Sequence, residues 1–520
     1  MKSSTMKRNK IVTILALLLI LLSLILTITS KPIHYVDDAW ITFRYANNLA
    51  HTGMLSFNPE ERIEGISNLL WAVILAFQAY LLPVSIPVIA AYSAVLLIAY
   101  SLYRIWRLGV FLEMDPIIAA LPAVFLITTS DIYRAATNGL ELPLCMALLL
   151  DAIYYHLRGK HPLSFMFLGL LFLTRIETIA IGILFFCTLF LMKKPVQKPV
   201  ILKSIAVYVG FVLSATIFRL LYYHDFIPNS VRAKQVAIQP WILLDGVRYV
   251  LDFIVQNPFF FVMVAAGVIV LLLEVFRTDF RTILGRLFHD TQSQLLVLSI
   301  AGILFSFVVV IRNGGDWMPN FRLFFLYGAF YACLFILLFK KGIINVILGI
   351  ALLIGPFIHV SDLVLYRIRH ENITTFTDFS PDMFFWGEAV DRLAPALTPS
   401  DKVSAEAIGY IGFNLPDTFI HDPLGLTDIY IARNGQPAVP YGKTDIEYTV
   451  NTIHPSVMIW HYTGHLKNLD PALLDTEYKT FCYENCESWN AHVVMVRTDR
   501  VHDFAMNLQD WSVITIKALP

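Results

Sequence analysis

Over its first two thirds the chain alternates long apolar runs with short polar connections, and it then turns predominantly polar. Apolar runs of spanning or near-spanning length occupy Ile11 to Thr29 and positions near 86–105, 116–130, 140–157, 163–174, 178–192, 203–222, 258–275, 294–311, 323–339 and 343–361. With roughly 20 residues needed per crossing, this pattern predicts about eleven transmembrane helices. The first run follows the basic residues Lys2, Lys7, Arg8 and Lys10 and ends at Ser30-Lys31-Pro32 without a small-residue cleavage pattern, so it reads as a retained helix. The stretch from Leu69 to Leu82 is also apolar, but it stops before Pro83 and Pro87 and is short for a span. A helix lying in the outer interface fits it better.

Short cytoplasmic loops carry an excess of lysine and arginine, which tests the orientation. Counted from a cytoplasmic N-terminus, the inner loops hold Arg104 and Arg107, Arg158 and Lys160, Lys193, Lys194, Lys198 and Lys203, Arg277, Arg281 and Arg286, then Lys340 and Lys341. Every inner loop is basic. The expected organisation is therefore a transmembrane domain over 1–362, with a first outer loop over 31–85 that contains the interfacial helix 69–82, and an extracytoplasmic domain over 363–520. In the latter, an amphipathic segment at Met383 to Leu397 and strand-like runs at Val457 to Trp460, His492 to Val496 and Val513 to Ile516 predict a small α/β fold. Cys482 and Cys486, four apart in an oxidising compartment, suit a disulfide or a local metal clip.

Composition agrees: 57% of the 520 residues are hydrophobic and 15% charged, more apolar surface than a soluble domain can bury. A formal net charge of +0 supplies no field to attract nucleic acid, so partners must be recognised locally. Cys145, Cys187 and Cys333 sit inside apolar runs and read as small hydrophobes. The helices carry almost no charge at mid-depth and show no internal repeat, which disfavours an ion-coupled carrier.

Candidate chemistry collects in the outer loops. The first holds His34, the pair Asp37-Asp38, Arg44, Glu64-Gly65 and Asn68; the second holds Asp131, Arg134, Asn138 and Glu141. The third is Thr174-Arg175-Ile176-Glu177, the fourth runs from Pro228-Asn229 to Lys234, and the fifth is Arg312-Asn313-Gly314-Gly315-Asp316-Trp317-Met318-Pro319-Asn320-Phe321-Arg322. Two adjacent carboxylates repel, so one protonates more easily than a free aspartate, which suits a general base or a cation ligand. Arg44, Arg175, Lys234 and Arg322 could converge on a phosphate; snorkelling to the interface is the plainer use. Gly314-Gly315 lets amides approach an anion or simply makes a tight turn.

The run Asp37-Asp38-Ala39-Trp40-Ile41-Thr42-Phe43-Arg44-Tyr45-Ala46, with Phe57-Asn58-Pro59, Glu64-Gly65, Asn68 and Trp71, resembles the first outer loop of C-type (GT-C) membrane glycosyltransferases. It is most similar there to the terminal β-arabinofuranosyltransferase group and its bacterial relatives. Thr137-Asn138-Gly139-Leu140-Glu141, Thr174-Arg175, Pro228-Asn229 with Ala233-Lys234, Gly314 to Pro319 with Arg322, Gly409-Tyr410-Ile411-Gly412 and Gly425-Leu426-Thr427-Asp428 extend the resemblance along nearly the whole chain. It departs at Ile176, where proline is expected, and at Ile66-Ser67, where an aromatic-threonine pair is expected.

The resemblance implies an all-α polytopic membrane domain of GT-C type with a small C-terminal extracytoplasmic α/β domain, in a bacterial inner membrane. It implies transfer of a hexosyl or pentosyl group from a polyprenyl-phosphate donor to a cell-envelope glycan or lipid-linked acceptor, with no nucleic acid involved. Asp37 or Asp38 would meet the acceptor hydroxyl or a divalent cation such as Mg or Mn. Arg44, Arg175, Lys234 and Arg322 would hold the lipid phosphate. Asn68, Asn138, Glu141, Glu177, Asn229, Asp316 and Trp317 would contact sugar or acceptor. A lipid-linked sugar flippase or a non-catalytic glycan-binding membrane protein are the alternatives.

Overall fold

The computed structural model describes residues 2–30, 33, 35–59, 61–128, 130–191, 196–235, 240–269 except 259, 263 and 267, 291–316, 318, 321–340, 381–437, 442–460, 471–487 and 491–516. The helices used below are α1 (Lys2–Ser30), α2 (Asp37–Thr52), α3 (Leu69–Leu81), α4 (Ile86–Phe111), α5 (Pro116–Thr128), α6 (Ser130–Ala136), α7 (Leu142–Leu157), α8 (His161–Thr174), α9 (Ile179–Leu191), α10 (Lys198–Tyr222), α11 (Asn229–Ala233) and α12 (Pro240–Gln256). They continue as α13 (Thr291–Arg312), α14 (Gly328–Lys340), α15 (Pro381–Leu393), α16 (Ile408–Asn414) and α17 (Ile429–Asn434).

Among the described residues four helices are long and apolar enough to cross a membrane: Lys10–Thr29 within α1, α4, α10 and α13. A fifth arises if Pro240–Gln256 and Phe260–Ala266, bent by 102° at their break, count as one crossing. The expectation of about eleven is corrected, because several apolar runs form helices too short to span. α5 and α14 have 13 residues each, which reach about 20 Å at 1.5 Å per residue, against a hydrocarbon layer of about 30 Å. The run near 343–361, the end of that near 258–275, Trp317, and the basic residues Lys193, Lys194, Arg277, Arg281, Arg286 and Lys341 lie outside the described residues. Along α1, Ile14, Leu15, Leu18 and Leu22 are exposed, as are Leu202, Leu213, Ile217 and Leu221 on α10. Apolar surface of that extent requires lipid or a partner around it.

The chain divides into two units, one of Met1–Ile33, Ala91–Ala215 and Ile238–Asp378, the other of His34–Ala90, Thr216–Ala237 and Phe379–Pro520. In the first, α14 is buried from Gly328 to Phe339 and packs on α5, α7 and α13; α1 lies on α5 and α7 on α8. Prolines in the first turns of α7 and α8, where the missing N–H costs nothing, start those helices. A charged pair is buried here as well: Arg104 of α4 meets Asp151 of α7, whose Oδ2 accepts the Tyr100 hydroxyl at 2.7 Å.

In the second unit α2 begins with Asp37 and Asp38, whose charges favour a helix N-terminus, and ends at Gly53 in the left-handed region (φ 73°). A six-stranded mixed sheet has the order β2 (Phe419–His421), β1 (Lys402–Ala405), β5 (Val457–Trp460), β7 (His492–Arg497), β6 (Tyr478–Glu484), β8 (Ser512–Ile514). A small hairpin joins β3 (Gln436–Pro437) to β4 (Lys443–Thr444). β1 runs parallel to β2 and β5, and the remaining neighbours are antiparallel. β5 and β7 are buried on both faces except at Arg497, and accordingly read as continuous apolar runs. Cys482 and Cys486 are joined in a disulfide at the end of β6.

The packing of α13 on α14 depends on Gly302 of α13, where a Cβ would run into the Phe330 ring of α14. Gly302→Ala is expected to cost about 1–3 kcal/mol through overpacking. The check is the melting temperature of the purified chain, which should fall by several degrees.

Candidate functional site

The site is built on α2 in the second unit. Arg44, about two turns along this helix, is 1% exposed and, among the described residues, has no carboxylate within ion-pair distance. Its Nε donates to the Phe57 carbonyl (2.7 Å), Nη1 to the carbonyls of Gly412 and Leu415, and Nη2 to the Thr418 carbonyl (3.0 Å) and Asn58 Oδ1 (3.4 Å). Burial lowers its pKa to about 10, with Tyr45 and Asp417 pulling the other way. Every donor nitrogen is thus spent on protein oxygen. Arg44, expected to hold a lipid phosphate, here fastens α2 to the segment containing α16.

Asp37 does the same at the start of α2. Its two oxygens accept the N–H groups of Gly409 (3.1 Å) and Tyr410 (2.8 Å), in the first turn of α16. Trp40 packs on Tyr410 and Phe413, each at 5.1 Å. Side chains are excluded where the two helices touch, since a Cβ at Gly409 would strike the Asp37 carbonyl and one at Gly412 would lie 2.9 Å from Arg44 Nη1. Burial raises the Asp37 pKa to about 7; the two amides pull against this, and Asp38 and Asp422 add to it.

Asp38 is placed differently. Its carboxylate is 20% exposed and lies 3.7 Å from the ammonium of Lys234, which is 47% exposed and caps the C-terminal end of α11. This is an opposite-charge pair that solvent, and hence a substrate, can reach. Behind it, Thr42 and Asn68 exchange hydrogen bonds at 3.0–3.2 Å in a buried position. Asn229 donates to the carbonyls of Gly425, Leu426 and Asp428 at 2.9–3.1 Å, which joins α11 to the segment leading into α17. In this arrangement the amide of Asn68 meets Thr42 and that of Asn229 meets backbone carbonyls.

The remaining expected site residues belong to the first unit. Arg175 donates to Glu141 (2.6 Å) and Glu177 (2.5 Å), and Arg322 is paired with Asp316. Asn138 accepts the Leu140 N–H at 3.0 Å in the turn before α7. Gly314 and Gly315 adopt φ of 76° and 85°, values that select glycine, so the turn reading accounts for them. Trp317 is outside the described residues. Among the free cysteines Cys145 and Cys333 are buried, whereas Cys187 is exposed.

Among the described residues no three His, Cys, Asp or Glu side chains gather as a metal site. With Asp37 committed to amides and Asp38 facing an ammonium, the donor set at this point does not fit Mg or Mn, which need several oxygen ligands. Sequence reasoning missed three participants. Arg219, near the end of an apolar run, pairs with Glu64. Asp422 is buried and accepts the N–H groups of Leu424 (2.9 Å) and Thr427 (2.7 Å). Asp225 receives both Arg232 and Arg433. Arg219 alone had a signal, an isolated charge inside a spanning run.

No family model and no curated protein matches this chain. Among solved structures, the Archaeoglobus fulgidus oligosaccharyltransferase in complex with Zn and sulfate is similar over 92% of this chain and 73% of that one, at 11% identity and a TM-score of 0.44. ArnT from Cupriavidus metallidurans in the apo state is similar over 93% of this chain and 98% of that one, at 12% identity and a TM-score of 0.43.

Two outcomes follow from the geometry. Arg44→Ala removes a donor from four backbone carbonyls, of which Phe57 keeps Asn48 and Leu415 keeps the Thr418 N–H, and should destabilise the second unit by on the order of 3 kcal/mol, seen as earlier unfolding of its tryptophan fluorescence. Burial also raises the Asp422 pKa to about 6, against the pull of its amide donors. An acid whose folded pKa lies above its unfolded value stabilises the fold while protonated, so this contribution is largest near pH 4 and is lost as pH rises through about 6. Asp422→Asn should flatten the dependence of melting temperature on pH over that interval; an unaltered slope would contradict the assignment.

Proposed function

We propose that this chain is a membrane glycosyltransferase of GT-C type, moving a hexosyl or pentosyl group from a polyprenyl-phosphate donor to an acceptor hydroxyl of an envelope glycan or lipid-linked glycan on the outer side of the membrane. The observation that carries the reading is the accessible Asp38–Lys234 pair, at 3.7 Å, at the start of α2 and the end of α11. The long apolar helices suit a lipid-linked substrate, and the motifs of the first outer loop supply the resemblance to the superfamily.

In the simplest such step the acceptor oxygen bonds to the anomeric carbon and the bond from that carbon to the phosphate oxygen breaks. The electron pair leaves with the polyprenyl phosphate, and the acceptor proton passes to Asp38. Lys234 neutralises the departing phosphate. Before substrate arrives the two side chains pair with one another. A phosphate drawing Lys234 away would remove one partner of the Asp38 carboxylate, which couples donor binding to its basicity toward the acceptor. Asp37 is given a positioning role, since its oxygens are engaged by Gly409 and Tyr410. Arg175 and Arg322 would have to exchange carboxylate partners for a phosphate before serving a donor, and no step is assigned to them.

The test is transfer of labelled sugar from a synthetic polyprenyl-phosphate donor by the full chain in nanodiscs. Asp38→Asn should lower kcat by roughly 10²–10⁴-fold, as expected for loss of a general base, and Lys234→Met by about tenfold or more. Transfer by Asp38→Asn at the wild-type rate would sink the proposal. Movement of the lipid across vesicles with its head group intact would point to the transporter reading instead.

A further inference from the structure

Lys234 can serve beside Asp38 only while α11 keeps its place, and we infer that the buried Glu64–Arg219 ion pair is the positioning device that keeps it there. The inference rests on the role given to Lys234 above. Arg219 lies in the last turn of α10 and Glu64 in the connection between α2 and α3. Their side chains are 2% and 3% exposed, and Arg219 Nε donates to both carboxylate oxygens of Glu64, at 3.0 and 2.8 Å.

The side chain of Glu64 is therefore fixed by α10, and its neighbours are fixed by α2. The Tyr45 hydroxyl donates to the Ile63 carbonyl (2.6 Å) and accepts the Gly65 N–H (2.8 Å). Between these anchors the Glu64 carbonyl accepts the N–H of Ser230 at 3.3 Å, in the first turn of α11. Gly65 leaves no slack on the far side: a Cβ there would lie 3.1 Å from the Leu426 carbonyl, which in turn accepts from Asn229 of α11. The seat of α11 is thus formed by the 63–65 segment on one side and the 425–428 segment on the other. One helical turn beyond Ser230 stands Lys234.

An ion pair buried to this degree cannot lose one partner quietly, because the remaining charge must rearrange or admit water. The rearrangement starts at Glu64, whose main chain carries the hydrogen bond to α11. Neither Glu64 nor Arg219 is open to substrate, so the pair acts through Lys234 and not on the sugar.

The experiment compares Glu64→Gln, Arg219→Gln and the conservative Arg219→Lys in the full chain in nanodiscs. Amide hydrogen exchange is followed in peptides covering 229–235, with peptides of β6 and β7 as internal reference. Both glutamine variants should raise exchange in 229–235 by at least tenfold with the reference peptides unchanged, and Arg219→Lys should recover part of the protection. In the transfer assay kcat should fall at least tenfold while the acceptor KM stays within about twofold. Unchanged exchange in 229–235 would overturn the inference, as would a parallel rise in β6 and β7, which marks general loosening. If the glutamine variants do not fold, the same comparison is read on Arg219→Lys. Absence of sugar transfer in the wild type would defeat the proposed function while the exchange data still decide the role of the pair.

Discussion

A guanidinium buried with no carboxylate at ion-pair distance must be solvated by dipoles, and Arg44 obtains that solvation from four backbone carbonyls at Phe57, Gly412, Leu415 and Thr418. The arrangement is costly to break, because the carbonyls freed in the interior lose a replacement for water and the guanidinium itself has none at hand. It fixes the distance and the rotation of α2 against the segment around α16. Since Asp37 and Asp38 stand at the start of the same helix, the direction in which each points follows from this one anchor together with the Asp37 contacts to Gly409 and Tyr410.

A division of labour runs through the second unit. Of two neighbouring aspartates, one is used to hold a helix terminus and the other is left accessible. Of the basic residues named here, Arg44 is consumed by carbonyls and Arg219 by Glu64, both in the interior, whereas Lys234 meets Asp38 at a half-exposed position. Arginine suits the structural posts, because its planar fork satisfies several acceptors at once and keeps its charge when buried. Lysine, a mobile point charge, suits the post at which a partner must be exchanged.

The sequence made some of this legible and hid the rest for identifiable reasons. α3 was visible because an apolar run ended at Pro83, and β5 and β7 because continuous β-branched and apolar runs mark buried strands. Hydropathy overstates the number of crossings, since it records how apolar a run is and says little of how long its helix is; α5 ends after 13 residues. β1, β2 and β6 carry polar residues on their edges and lacked the pattern. For the site, composition and spacing found Asp37, Asp38 and Lys234 but could not distinguish a post from a reagent. Arg44 looks the same on paper whether it faces phosphate or carbonyl. That difference is decided by residues near 412–418, more than 350 positions away, which no local pattern reaches.

That separation has a consequence for how the molecule is made. The bonds from Arg44 to Gly412, Leu415 and Thr418 join positions 368 to 374 residues apart. At synthesis rates of about 5–20 residues per second, the loop bearing Arg44 waits roughly 20–70 s on the ribosome's clock before its acceptors exist. Through that interval the guanidinium must remain hydrated and α2 without its seat. Closure of the second unit is therefore a late event in biogenesis, one that only a chain translated well past α16 can complete, so a prematurely terminated product is left with an open, water-filled first loop.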